Sequence, residues 1–273
     1  MSATHGEIAR YYDTHQFYYT HFWSKTALHY GLWYGDTRTL AEAVRNTDIL
    51  VSNALGIRSD DIVLDAGCGV GGTAIRIACT TGATVYGVTL SDVQRTLAER
   101  AAARSAPNRV QVTIQDFGNT DFSDRMFSKL YGIESVCYAQ SKRSFMREAF
   151  RLMKGGGKLA VVDTFLANRQ LNAKERRTYS RFIEGWAIPN LATQDEFRDA
   201  LSDAGFIDVA YRDLQQYIWP SVRRVFYCSF LTVPLNLLKI IATRAPRNLA
   251  AFYQKAAFEN DIARYGLFTA RKP

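Results

Sequence analysis

The stretch Val63-Leu64-Asp65-Ala66-Gly67-Cys68-Gly69-Val70-Gly71-Gly72 decides the fold. The short apolar run Ile62–Asp65 reads as a buried strand, and Gly71–Thr81 reads as a helix. Between them the chain passes through glycines. With no Cβ, Gly67 and Gly69 let the backbone turn tightly and approach a ligand. The helix behind them presents free N–H groups to that ligand. Gly67, Gly69 and Gly72 also satisfy the dinucleotide spacing G-x-G-x-x-G, a weak signal by itself. Two features argue against a pyrophosphate. Asp65 ends the strand, where a carboxylate suits a cationic amine better. A nicotinamide site also wants an acid at the tip of the next strand, for the ribose. Here that tip is Gly87-Val88-Thr89-Leu90-Ser91.

Further along, strand-like runs at Ala83–Val88, Arg109–Ile114, Phe127–Ile133 and Gly157–Thr164 alternate with helical stretches at Ser91–Arg104 and Lys142–Met153. That alternation predicts a mostly parallel sheet with helices on both faces. Residues 1–58 are aromatic-rich and read as helical. Thr39 with Glu42 forms a capping box opening one helix, and Gly56 ends it. Downstream, Thr193-Gln-Asp-Glu196 opens a helix that runs to Gly205, and Phe206–Leu214 reads as a strand. Tyr217–Phe258 is a long interruption before a last strand at Tyr265–Ala270. An insertion of that length usually forms a lid or a binding wall.

Composition narrows the class. The chain has 273 residues, 47% apolar and 22% charged, which excludes a disordered or fibrous chain. It contains no apolar run long enough to span a bilayer. The first residues show no basic end followed by an apolar stretch, so the expectation is a cytoplasmic protein, at most peripheral to a membrane. Cys68, Cys79, Cys137 and Cys228 are spaced for neither metal nor redox work, so no metal is expected. Net charge is +8, concentrated between Tyr217 and Phe258. That segment has no acid and carries Arg223, Arg224, Lys239, Arg244, Arg247 and Lys255. Such charge is compatible with nucleic acid, a membrane surface or an acidic small molecule.

Val63–Gly72 resembles motif I of the class I S-adenosylmethionine (SAM) dependent methyltransferases. Thr89-Leu90-Ser91-Asp92-Val93-Gln94 resembles the second motif of a narrower group. That group holds the cyclopropane fatty acid synthases, sterol and tocopherol C-methyltransferases and rebeccamycin-type sugar O-methyltransferases. The resemblance runs from about Tyr11 to Pro273, strong over 60–165 and weak over 217–258. It implies a Rossmann-like seven-stranded α/β sheet with its last strand antiparallel. Residues 1–58 would be a helical lid, 59–214 the SAM-binding core, 215–263 a helical cap and 264–273 the last strand. SAM is then the cofactor and S-adenosylhomocysteine (SAH) the product.

The resemblance also implies roles residue by residue. Gly67 and Gly69 would pack on the homocysteine part of SAM, with Asp65 at its amino end. Thr89 and Leu90 would lie near ribose and adenine. Gln94 would reach the ribose, although Ser91-x-x-Gln94 also reads as a capping box. Asp116 would take the adenine amino group with Phe117 against the ring, or Asp116 is a turn residue. Tyr131 would touch the methionine end. Tyr12 and Tyr30 would belong to the lid, or merely staple a helix to the core.

Two acceptor chemistries remain open on these residues. An O-methyl transfer needs a general base, most often His. All four histidines lie within the first 29 residues. The related sugar enzymes carry His just after the position of Glu134, where this chain has Val136-Cys137-Tyr138. His29 from the lid or Asp163 from the fifth strand would have to substitute. An alkene acceptor instead passes through a carbocation, which aromatic faces stabilise. Trp23, Trp33, Tyr138, Tyr179 and Trp186 would form that wall, with Glu134 as its carboxylate. The preferred reading is C-methylation of an isoprenoid, sterol or related lipid. The alternative is O-methylation of a phenol, quinol or glycoside. A nucleic-acid acceptor is not expected, because Ile133-Glu134-Ser135-Val136 lacks a target-base motif. The basic insertion, with its apolar stretch 231–242, has three readings. It lies on an anionic membrane, holds a diphosphate and isoprenoid tail, or caps the sheet or a second subunit.

Overall fold

The computed structural model describes residues 3–232 and 249–273. Seven strands build one sheet: β1 Ile62–Ala66, β2 Thr84–Thr89, β3 Val110–Ile114, β4 Phe127–Ile133, β5 Met153–Leu166, β6 Ile207–Asp213 and β7 Ala263–Arg271. Their order is β3-β2-β1-β4-β5-β7-β6, with β7 antiparallel to both neighbours and every other pair parallel. This is the class I methyltransferase sheet, as the resemblance implies.

Side-chain alternation sorts the strands into two cores. Val63, Tyr131, Ala160 and Val162 face one side. Leu64, Leu130, Leu159 and Val161 face the other. The first side is covered by α2 Leu40–Leu55, α3 Gly72–Thr81 and α4 Asp92–Ser105, through Val51, Leu55, Ile77 and Ala98. The second is covered by α5 Lys142–Leu152 and α7 Gln194–Asp203, through Phe145, Met146, Phe197 and Leu201. Helix α2 therefore belongs to the core layer, although the sequence groups it with the lid.

The predicted caps are present. Thr39 and Glu42 bond reciprocally and Gly56 is left-handed at φ 61°. Thr193 and Glu196 do the same. Ser91 caps α4 by accepting from Gln94 N, but Gln94 returns nothing to Ser91. Its side chain turns instead to Thr89, whose hydroxyl donates to Gln94 Oε1 at 3.0 Å. A helix not expected from the sequence, α6 Ala173–Gly185, opens on Asn172 with a reciprocal Glu175. That Asn-x-x-Glu box was the available signal.

The lid is α1 His5–Tyr18, continued by a wide π turn at Tyr19–Trp23. Asp13 on α1 accepts the hydroxyl of Ser91, which ties the lid to the start of α4. The segment after the π turn drops onto the glycine loop. A Cβ on Gly72 would lie 1.7 Å from the Thr26 carbonyl oxygen. The cap is α8 Gln215–Thr232 and α9 Ala250–Glu259. The apolar stretch 231–242 lies almost wholly outside the described residues. Among the described residues no helix is long and apolar enough to cross a membrane.

We expect Gly72→Ala to lower stability by about 1–3 kcal/mol, because backbone must move to admit the methyl. Gly35→Ala, where a Cβ meets nothing within 4 Å, should change it by less than about 0.5 kcal/mol. Urea unfolding of both variants checks the contrast.

Candidate active site

The strand order reverses between β1 and β4, and a crevice opens beyond their carboxyl ends. Pairing sets Asp65 beside Tyr131, whose hydroxyl donates to Asp65 Oδ2 at 2.7 Å. The loops leaving the two strands touch. A Cβ on Gly67 would lie 2.4 Å from Ser135 Cβ, and Gly67 itself stands at φ 96°. Only glycine fits there. Glu134 leaves β4 at φ 49°. Bulky residues rarely take that left-handed conformation, and where it persists the site is often functional.

The crevice, lid and cap enclose a cavity of about 640 Å³, within the usual size of small-molecule sites. The structure brings together at its wall most residues expected to meet SAM: Tyr12, Tyr30, Asp65, Gly67, Gly69, Thr89, Leu90, Gln94, Phe117 and Tyr131. Asp116 is not among them. Its Oδ1 accepts from Gly118 N at 2.8 Å, and Oδ2 lies 3.6 Å from His5 Nε2. It is a turn residue facing the lid's first helix. Trp23, Tyr138 and Trp186 line the cavity. Trp33 and Tyr179 do not. Trp33 Nε1 donates to Ser221 Oγ at 2.9 Å, and the Tyr179 hydroxyl accepts from Leu191 N at 3.1 Å. Trp33 ties its loop to α8, and Tyr179 ties α6 to the loop at Leu191.

The three proposed catalytic groups line the cavity with different freedom. His29 is buried, with Nδ1 2.8 Å from the Tyr30 carbonyl and Nε2 3.3 Å from Thr73 Oγ1 and 3.5 Å from Asp48 Oδ1. The single hydroxyl proton of Thr73 goes to Asp48 at 2.8 Å. Both ring nitrogens therefore face oxygen atoms of neighbouring residues. Burial alone would lower the His29 pKa, but Asp48 outweighs it and raises it. A ring held at both nitrogens is poorly placed to serve as a base. Of the other histidines in the lid, His21 is exposed with its Nδ1 2.8 Å from the Phe17 carbonyl, and His15 lines the cavity with its Nδ1 2.7 Å from the Tyr11 carbonyl. Asp163 is also engaged: Oδ2 accepts from Cys137 N at 2.8 Å and Oδ1 from Thr164 N at 2.7 Å. It holds the turn after Glu134.

Glu134 differs. Its Oε1 accepts from Tyr30 N at 2.6 Å and from the Tyr265 hydroxyl at 2.7 Å. Among the described residues nothing bonds Oε2. Burial raises its pKa to about 7, against the lowering influence of His29, Tyr265 and Tyr30. Tyr265 was not foreseen, because nothing local in sequence marks a partner 131 positions away.

Polar groups with no partner mark where a ligand belongs. Gln94 is 3% exposed, and its Nε2 has no hydrogen bond. Asp65 is a buried carboxylate whose pKa burial raises to about 7, with the Tyr131 hydroxyl opposing. The chain thus offers an amide donor for a ribose hydroxyl, a carboxylate for an ammonium group and a bare glycine backbone between them. These fit SAM.

Residues 2–221 match the family described as mycolic acid cyclopropane synthetase. The chain belongs to that family. It is 33% identical over 199 residues to the sterol 24-C-methyltransferase of Eremothecium gossypii, covering 72% of this chain and 53% of that one. The chain thus spans about half the length of such sterol enzymes. It is 28% identical to the 27-O-demethylrifamycin SV methyltransferase of Amycolatopsis mediterranei over 271 residues, 99% of this chain and 98% of that one. A solved geranyl diphosphate methyltransferase, in complex with geranyl diphosphate and sinefungin, superposes with a TM-score of 0.80 at 19% identity, covering 98% of this chain and 99% of that chain. The [4+2]-cyclase SpnF superposes at 0.83 and 21%, covering 100% and 98%. These structural likenesses establish the fold, and one fold hosts several reactions.

Asp65 must lose its proton to meet an ammonium group. SAM affinity, measured by calorimetry, should therefore rise with pH through about 7 and level off above it. Asp65→Asn should weaken binding at pH 8 by about tenfold or more and shrink the rise. Unchanged affinity would contradict the placement of the cofactor.

Proposed function

We propose that this protein is a SAM-dependent methyltransferase acting on a carbon atom of a lipophilic small molecule: an isoprenoid, a sterol or a related lipid. The observation that carries this is Glu134 Oε2, an oxygen that nothing bonds among the described residues, on a carboxylate set among aromatic rings. Bound SAM supplies an electrophilic methyl group on a sulfonium. An alkene acceptor that takes this methyl forms a carbon–carbon bond and becomes a carbocation. Tyr12, Trp23, Tyr138, Phe182 and Trp186 line the cavity, and aromatic faces stabilise such a cation. Tyr12 and Tyr138 meet edge to face, with centroids 5.6 Å apart, so the rings brace one another. Glu134 Oε2 then removes a proton from the neighbouring carbon, and the double bond re-forms. Its raised pKa suits a group that must accept a proton near neutrality. The lid and cap keep water from the cation.

A second reading is O-methylation of a phenol, quinol or glycoside. The end-to-end match to the rifamycin SV O-methyltransferase favours it. Glu134 would be the base there as well, because His29 is committed to Tyr30, Thr73 and Asp48. On the outer face of α8, Arg223, Arg224, Tyr227 and Phe230 are exposed. They support a peripheral contact with an anionic membrane, from which a lipid acceptor would enter.

Glu134→Gln should lower kcat by about 10²–10⁴-fold and leave SAH affinity within about threefold. Wild-type kcat should rise with pH through about 7 as Glu134 ionises, and the residual activity of the variant should lack that rise. Equal turnover would remove Glu134 from the mechanism.

A further inference from the structure

The cavity wall is unbalanced in charge. It carries three carboxylates, Asp65, Glu134 and Asp163, and among the described residues neither lysine nor arginine lines it. His29 and His15 also line it, His29 already paired with Asp48. The described cations of the basic segment are placed elsewhere. Arg223 and Arg224 are exposed on α8, outside the cavity wall. Lys255 pairs with Glu259 and lies over the Phe226 ring, 5.2 Å from its centroid. Lys239, Arg244 and Arg247 lie outside the described residues. A cationic cofactor suits such a wall. Set among those carboxylates, a diphosphate head would meet no lysine or arginine among the described residues, and a buried unpaired charge is costly.

The same wall holds two donors with nothing to donate to. Trp186 Nε1 and the Tyr30 hydroxyl are buried and have no hydrogen-bond partner. Both residues line the cavity. Their neighbours do not explain them. The Trp186 carbonyl accepts from Tyr138, and the Tyr30 backbone serves Glu134, His29 and Thr47, but the polar tips stay unmet. Indole N–H is a donor only, so Trp186 requires an acceptor atom. Burial keeps the Tyr30 phenol protonated, so it too can donate. Leaving such groups unpaired costs more than a made bond gains.

We propose that the acceptor is an uncharged molecule bearing a hydrogen-bond-accepting oxygen, held by Trp186 Nε1–H with help from the Tyr30 hydroxyl, and that prenyl diphosphates are rejected. Trp186 and Tyr30 are then specificity-determining residues. This rests on the lipophilic-acceptor reading above and narrows it from lipids in general to neutral oxygenated ones.

The test is calorimetric titration of the full chain saturated with SAH. The probes are monoterpene, sesquiterpene and sterol skeletons, each as hydrocarbon and as alcohol. The two prenyl skeletons are also offered as diphosphates with Mg²⁺. On the skeleton that binds, the alcohol should bind about tenfold tighter than the hydrocarbon, the value of one well-placed hydrogen bond. A diphosphate should bind at least about tenfold more weakly than the alcohol. Trp186→Phe should bring the alcohol-to-hydrocarbon affinity ratio to about one while SAH still binds, which separates a lost donor from a damaged fold. Tyr30→Phe should have a smaller effect of the same kind. Diphosphate binding as tight as the alcohol's, or equal binding of alcohol and hydrocarbon by the wild type, would overturn the proposal. If SAH binds and no skeleton does in any form, the lipophilic-acceptor reading itself falls and takes this proposal with it.

Discussion

The hydrogen bond from Tyr30 N–H to Glu134 Oε1, 2.6 Å long, is the contact on which the rest of the site depends. It joins the lid to the exit of β4 and uses one carboxylate oxygen, so the other is left for the cavity. The Tyr265 hydroxyl adds β7 to the same oxygen. The lid, the switch point and the last strand thus converge on one atom. Fixing an acid from three directions orients it without reorganisation at the moment of reaction, which is what preorganised sites require. The strained φ of Glu134 persists because these partners over-determine it.

A second network keeps the lid in place. His29 bridges the Tyr30 carbonyl to Asp48 and Thr73, and Arg76 also bonds Asp48. Asp48 is 2% exposed and held below the usual carboxylate range: burial opposes this, but His29, Thr73 and Arg76 outweigh it. The lid segment therefore reaches the core through a buried, fully hydrogen-bonded ion pair, an arrangement that tolerates the loss of neither partner. The histidine's service to the lid is what removes it from catalysis.

The sheet was legible because its signals are local. An apolar run, a glycine loop and a capped helix occupy consecutive residues, and each is read by its own backbone chemistry. The cofactor half of the cavity followed for the same reason, since its residues sit on strand exits 63–72, 89–94 and 131–134. The acceptor half was less legible, because long-range packing decides which face an aromatic shows. Trp186 and Tyr138 line the cavity while Trp33 bonds Ser221 and Tyr179 bonds Leu191, and all four look alike in sequence. Asp116 lies off the cavity wall because a tight turn bends its side chain back to Gly118. The role of Tyr265 arises only when β7 inserts between β5 and β6. Helix α6, by contrast, had a readable Asn172-x-x-Glu175 cap.

The central claim is transfer of an intact methyl group to carbon. The most direct measurement follows SAM carrying a fully deuterated methyl group into the product, with the product's bonding read by mass spectrometry and NMR. The account requires all the methyl deuterium to be retained on a carbon–carbon bond that survives acid and alkaline hydrolysis, with one proton lost from the acceptor's own carbon skeleton. Deuterium lost from the transferred group would instead indicate ring closure onto the alkene. A label released by ether or ester cleavage would indicate oxygen as the acceptor atom. Either result would contradict the claim.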